Sequence, residues 1–256
     1  MSQPESRFWE LFFEVFDSLP RQGPGNRDCA SKALAMCRKL PAAPRVLDLG
    51  CGAGGQTLHL AELIPRASII AVDRHAPSIE RLQGTLAERG LANRVIAMVG
   101  DMAEPECLPN GFDLIWSEGA LYSIGLRKAL SVCHGLLRPG GYLAFTDAVW
   151  RRESPPAQVK AGFELDYPGM GWLDDDLVAL HEGGFELVGH FTLPDEAWWV
   201  DFYTPMEARI EALRPRYEND ADALAILDRL AEEPEIHRRY SDYYAYEFFV
   251  SRRSVN

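Results

Sequence analysis

The sequence predicts a doubly wound α/β fold. Residues 45–57 read as an apolar strand, a glycine cluster and the start of a helix: Arg45-Val46-Leu47-Asp48-Leu49-Gly50-Cys51-Gly52-Ala53-Gly54-Gly55-Gln56-Thr57. Short β-branched runs then alternate with amphipathic helical runs as far as residue 191. Hydrophobic residues make up 47% of 256, enough for a buried core, and no apolar run is long enough to cross a bilayer.

Taken in order, Phe8, Leu11, Phe12 and Val15 share one face of an aromatic-rich helix over residues 8–16, with Glu10 and Glu14 on another. Such a helix ahead of the first strand must cover something, either the sheet or the mouth of a site. Pro20-Arg21-Gln22-Gly23-Pro24-Gly25-Asn26 is a loop by composition. A helix follows it, with Ala30, Ala33, Leu34 and Cys37 on one side.

The second strand is Ser68–Asp73, followed by Arg74 and a helix over 79–89 that stops at Gly90. The third, Arg94–Val99, runs into Gly100-Asp101-Met102. The fourth is Gly111–Trp116, followed by Ser117-Glu118-Gly119-Ala120-Leu121-Tyr122. A helix over 129–137 breaks at Arg138-Pro139-Gly140-Gly141, which turns into the fifth strand, Tyr142–Asp147. Residues 162–171 read as an irregular lid. Asp174-Asp175-Asp176 opens a helix whose dipole the acids favour, which explains that charge run without a metal. The sixth strand is Phe185–Phe191, residues 194–239 are a helical insertion opened by Trp198-Trp199, and Tyr243–Val250 is the last strand. The expected organisation is one domain: entry helices and loop (1–44), core (45–193), helical lid (194–240) and final strand (241–256).

Gly50, Gly52 and Gly55 satisfy G-x-G-x-x-G, which many nucleotide folds share. Asp48 is more informative. A carboxylate before the first glycine would repel a pyrophosphate and suit a ligand with an ammonium group, as S-adenosylmethionine has; the plainer reading is an acid capping the turn. Asp73, ending the second strand, can accept both hydroxyls of a ribose or cap the next helix.

Asp48-Leu49-Gly50-Cys51-Gly52-Ala53-Gly54 resembles the first motif of the class I S-adenosylmethionine-dependent methyltransferases, and the later motifs follow in order to about Val149. Arg21-Gln22-Gly23-Pro24-Gly25, Trp116–Tyr122 and Tyr243–Phe249 are similar to a subgroup acting on small molecules. The resemblance implies a Rossmann-like seven-stranded sheet with an antiparallel last strand and a helical cap. It implies S-adenosylmethionine as cofactor, with S-adenosylhomocysteine as product. It places the Gln22–Gly23 loop over the methionine end and Asp48, Gly50, Gly52 and Ser117 around it. Asp73 and Arg74 belong by the ribose, Asp101 and Met102 by the adenine.

Glu118 and Tyr122 after the fourth strand, and Asp147 and Trp150 after the fifth, are expected at the crevice where an acceptor would sit. They are the candidate catalytic residues. For Glu118 and Tyr122 a salt bridge and an aromatic cover are the equal alternatives.

Lys plus Arg is 26 and Asp plus Glu is 38, a net charge of −12 that disfavours nucleic acid and anionic membranes. The expected partner is a small molecule, with the chain a monomer or homodimer. Cys29, Cys37, Cys51, Cys107 and Cys133 are odd in number and form no C-x-x-C; the six histidines have no metal-ligand spacing. Free thiols and a start (Met1-Ser2-Gln3-Pro4-Glu5) without a basic and apolar leader lead to a cytoplasmic expectation. A nicotinamide-dependent oxidoreductase is the competing class; Asp48 and the lack of a Tyr-x-x-x-Lys pair count against it. An inert cofactor-binding module is the other alternative.

Overall fold

The computed structural model describes residues 3–104 and 108–255. Cys107 and the first two residues lie outside the described residues.

Seven strands form one sheet in the order β3-β2-β1-β4-β5-β7-β6. β1 (Arg45–Leu49), β2 (Ser68–Asp73), β3 (Val95–Val99), β4 (Phe112–Glu118) and β5 (Leu137–Trp150) run parallel. β7 (Tyr244–Arg253) inserts antiparallel between β5 and β6 (Phe185–Thr192). The order reverses between β1 and β4, so the carboxyl ends of these strands frame a crevice.

Side chains alternate across the sheet, and each face has its own cover. Val46, Ile69, Leu114 and Phe248 meet α2 (Arg27–Met36), α3 (Gly55–Leu63) and α4 (Ala76–Glu88). Leu47, Ile115, Phe145 and Phe249 meet α5 (Leu126–Leu136) and α7 (Leu173–Glu182). β4, central in the sheet, is buried at every residue. A third apolar cluster builds the cap over the carboxyl end. It joins α1 (Gln3–Phe16) and α6 (Ala157–Asp166) to α8 (Glu196–Trp198), a π-helical turn (Trp199–Tyr203), α9 (Thr204–Leu213) and α10 (Ala221–Tyr240). The face of α1 expected from its pattern is the one used: Leu11 and Val15 are buried against this cluster.

Two local expectations change. The segment read as an irregular lid is helical as far as Asp166, because α6 packs Val159 and Phe163 into the cap. Residues 138–141 do not precede β5 but bulge within it. Phe112 pairs with Leu137 and Leu114 with Tyr142, the intervening residues looping out opposite Asp113 with Gly140 at φ 73°. Asp113 accepts the Arg45 N–H at 2.8 Å and pairs with Arg138.

Candidate cofactor and acceptor site

The glycine turn after β1 is pinned from below. The N–H groups of Gly50 and Cys51 both donate to the Val72 carbonyl, at 2.8 and 3.0 Å. Asp73 reaches across from β2: one carboxylate oxygen accepts the Gly52 N–H and the other the His75 N–H, each at 2.8 Å. Asp73 stays half-exposed, and each oxygen keeps a lone pair for a further donor. Arg74 is exposed. Met102 lies against Gly50, where a Cβ would come within 3.3 Å of Cε. Asp101 is exposed and caps its own turn through the Ala103 N–H.

The loop 20–26 covers this turn. Gln22 Oε1 accepts the Ala53 N–H at 3.0 Å, while its amide donates to Asp17 at the end of α1. Gly23 is half-exposed, its carbonyl accepting from Arg21. α1 is fastened to the same rim: Phe13 stacks on His75 with ring centres 3.7 Å apart. From the cap, the carbonyls of Ala197 and Asp201 accept the Gly25 and Arg21 N–H groups. Trp198 stacks on His237, and Trp199 meets Tyr203 edge-on.

Arg21 is the residue the sequence reading passed over, although it stands in the quoted Arg21-Gln22-Gly23-Pro24-Gly25 signature. Its guanidinium is buried and donates to Glu118 at 2.7 Å, and its Nη1 has no partner among the described residues. Trp116 Nε1 donates to the other Glu118 oxygen at 2.7 Å. Both oxygens of Glu118 therefore serve buried donors, which realises the salt-bridge alternative.

Three other expected site residues also have partners within the chain. Asp48 is fully buried and accepts from Thr57 at 2.5 Å and Gln56 at 3.4 Å, bracing the first turn of α3. Ser117 turns inward and donates to the Leu49 carbonyl. Trp150 donates to the Met170 carbonyl and meets Phe163 edge-on, so it belongs to the cap wall. The four candidate catalytic residues thus do not share one crevice. Glu118 faces the α2 side; Asp147 faces the α7 side.

Asp147 is buried, accepting from the Tyr167 hydroxyl at 3.0 Å and from the Ala148 N–H. Tyr122 packs on Tyr167 with ring centres 5.0 Å apart. Burial raises Asp48 and Asp147 each to about 7, against the hydrogen bonds from Thr57 and Tyr167. Burial and the charges of Asp147 and Asp175 raise Asp176 to about 8. A carboxyl with a raised folded-state pKa contributes stability that is complete below its unfolded value and lost as pH rises through the folded one. The ligand-free melting temperature should therefore fall from about pH 4, where the unfolded carboxyls ionise, to about pH 8 and level off above it, by about 2–4 °C per kcal/mol lost. Asp176→Asn should flatten that slope; identical slopes in parent and variant would place Asp176 in water.

Among the described residues no group of acids, histidines and cysteines could hold a metal, and no helix is long and apolar enough to cross a membrane.

A family model described as a methyltransferase domain matches residues 42–204. The chain belongs to that family: it carries a class I S-adenosylmethionine-dependent methyltransferase domain. It is 25% identical over 234 residues to the uncharacterized methyltransferase YodH of Bacillus subtilis, covering 89% of this chain and 92% of that one. It is 25% identical over 174 residues to the sterol 24-C-methyltransferase ERG6A of Gibberella zeae, covering 65% of this chain and 45% of that one. The chain thus spans about half the length of some curated relatives it matches. In fold it is similar to a SAM-dependent methyltransferase from Thiobacillus denitrificans solved with S-adenosyl-L-homocysteine: TM-score 0.78, 19% identity, 94% of this chain and 96% of that one.

Proposed function

We propose that the protein methylates a small-molecule acceptor by in-line displacement in a closed pocket at the carboxyl ends of β4 and β5. The observation that carries this reading is the Asp73 carboxylate, fixed on the Gly52 N–H under a loop whose Arg21 is buried with one nitrogen unpartnered.

The residues present fit the cofactor. Asp73 would hold the ribose hydroxyls, Asp101 and Met102 the adenine, and the turn of Gly50 and Gly52 allows close approach, since a Cβ at either would overlap a neighbour. Arg21, whose Cγ packs beside Gly55 at the start of α3 and whose Nη1 has no partner among the described residues, suits the cofactor's carboxylate. Bound S-adenosylmethionine supplies an electrophilic methyl on a sulfonium. The protein's part is to align the acceptor with it and exclude water. α1, the Gln22 loop and the aromatic cap supply the exclusion. Glu118 acts as a positioning residue: it holds Arg21, and so the loop, in place. An oxygen or nitrogen acceptor must also lose a proton, and Asp147 is better placed for that than Glu118 because burial keeps its pKa near neutrality.

Asp73→Ala should weaken S-adenosylhomocysteine binding by about 1–3 kcal/mol in calorimetry. Unchanged affinity would remove Asp73 from the site, and binding of NADH in preference would favour the oxidoreductase reading. An inert module would bind the cofactor yet turn over nothing in a screen of phenols, amines, thiols and acids.

A further inference from the structure

We propose that the cavity between α6 and the two turns flanking it is a second ligand site, apart from the cofactor turn, that takes an alkylated ammonium group. The inference goes beyond the methyl-transfer reading and does not depend on it.

The first observation is the cavity and its wall. It holds about 280 Å³, room for a small head group, and Trp150, Phe163, Tyr167 and Trp172 line it. Trp150 meets Phe163 edge-on, with ring centres 5.4 Å apart. Main-chain pairing brings the two tryptophans together: the Trp150 N–H donates to the Gly171 carbonyl at 2.9 Å, and Trp150 and Trp172 form a parallel bridge. The Trp150 indole N–H is already given to the Met170 carbonyl at 3.1 Å, so this side chain offers a ligand its π system and no donor. Trp172 is 41% exposed and packs on no other aromatic ring among the described residues. Tyr167 fastens the wall to β5, its hydroxyl donating to Asp147 at 3.0 Å. The aromatic surface is thus largely set before a ligand arrives, which lowers the cost of binding one.

The second observation is the charge left over. Arg152, Glu153, Lys160 and Glu164 also line the cavity. Arg152 pairs with Asp242 at 3.0 Å, and Lys160 with Glu164 at 3.3 Å. Glu153 has no partner among the described residues. The charge free to meet a ligand is therefore negative, and the aromatic faces act in the same sense, attracting a cation and repelling an anion. A bare ammonium would give up strong hydrogen bonds to water for rings that cannot replace them. An alkylated one has fewer to lose, and its methyl groups pack on the rings.

The third observation is in the backbone. Ser154, next to Glu153 and also in the lining, has φ 55° and is the only non-glycine residue with positive φ among the described residues. Strain of this kind clusters at ligand clamps, and here it falls beside the unpaired acid.

The test is calorimetric titration of the full chain at about 0.15 M salt, where the pull of the net charge of −12 on any cation is largely screened. The probes are choline, 3,3-dimethylbutan-1-ol, which has carbon in place of the nitrogen, and 3,3-dimethylbutanoate. Choline should bind tenfold or more tighter than the alcohol, and the acid more weakly than either. Trp172→Leu keeps an apolar side chain and removes the π face; it should weaken choline tenfold or more and the alcohol little. Glu153→Gln, at an exposed position, should weaken choline at least threefold and leave the alcohol unchanged. Should Trp172→Leu fail to fold, Glu153→Gln decides by itself. S-adenosylhomocysteine affinity should be the same in parent and variants, and a parallel loss of it would overturn a separate site. Choline that fails to bind, or binds no better than the alcohol, overturns the proposal, as does choline affinity undiminished in either folded variant. Preference for the acid would give the cavity to Lys160 or Arg152 and overturns it as well.

Discussion

Replacing Arg21 by methionine is expected to cost about 3–5 kcal/mol of stability in urea unfolding, and Glu118→Ala a similar amount. Both side chains are almost fully buried, at 4% and 1% exposure, and each single change leaves the other's charge without its partner. The double variant Arg21→Met, Glu118→Leu removes both charges, and much of the lost stability should return. Cofactor affinity should not return with it. Arg21 also donates to the Pro24 carbonyl and shapes the loop over the glycine turn, so all three variants should bind S-adenosylhomocysteine more weakly. A Glu118 that served as the proton acceptor would behave otherwise: Glu118→Gln would lose turnover and keep S-adenosylhomocysteine affinity. Single variants costing under about 1 kcal/mol would mean that the pair is solvated.

The core of the fold was legible because its signals are local. A glycine cluster between an apolar strand and a helix, and acids ending β2 and following β3, lie within a few residues of one another. The antiparallel β7 came from resemblance, since its partners β5 and β6 are set by long-range pairing that no local pattern records. The site was legible only in part for the same reason. Strand-end position told that Glu118 and Asp147 are near the crevice, but not which face each takes. Glu118 shares a face with Trp116, and Asp147 one with Phe145, so they look to opposite sides of the sheet. What satisfies each carboxylate arrives from far along the chain: Arg21 for Glu118, Tyr167 for Asp147. The partners of Asp48, Thr57 and Gln56, lie in the first turn of α3, where a polar side chain reads equally well as exposed. Asp176 passed as a dipole-favouring acid, and only its burial distinguishes it from Asp174 and Asp175.

Gly50→Ala is expected to be the most damaging small substitution in the glycine turn, and Gly52→Ala distinctly milder, though both glycines have positive φ, 70° and 52°. Each pays a similar strain for an L side chain in that region, about 1–2 kcal/mol. The difference is what the new methyl meets. At Gly50 it would lie 2.2 Å from the Ala120 Cβ, an atom with no rotamer to escape into. Neither side yields easily: the N–H groups of Gly50 and Cys51 tie the turn to Val72, and Leu121, next to Ala120, is 1% exposed in the core. At Gly52 the methyl would meet Gln22 Oε1 at 2.1 Å, the end of a flexible side chain that can swing away at the cost of its bond to Ala53. Gly50→Ala should therefore lower the melting temperature and weaken S-adenosylhomocysteine at least tenfold, because the turns after β1 and β4 are forced apart. Gly52→Ala should keep most of the stability and instead speed amide exchange in residues 20–26, as the loop loses its tie. Equal losses in the two variants would mean that φ alone sets the cost. An unperturbed Gly50→Ala would show that the β4 turn is free to move away from the cofactor turn.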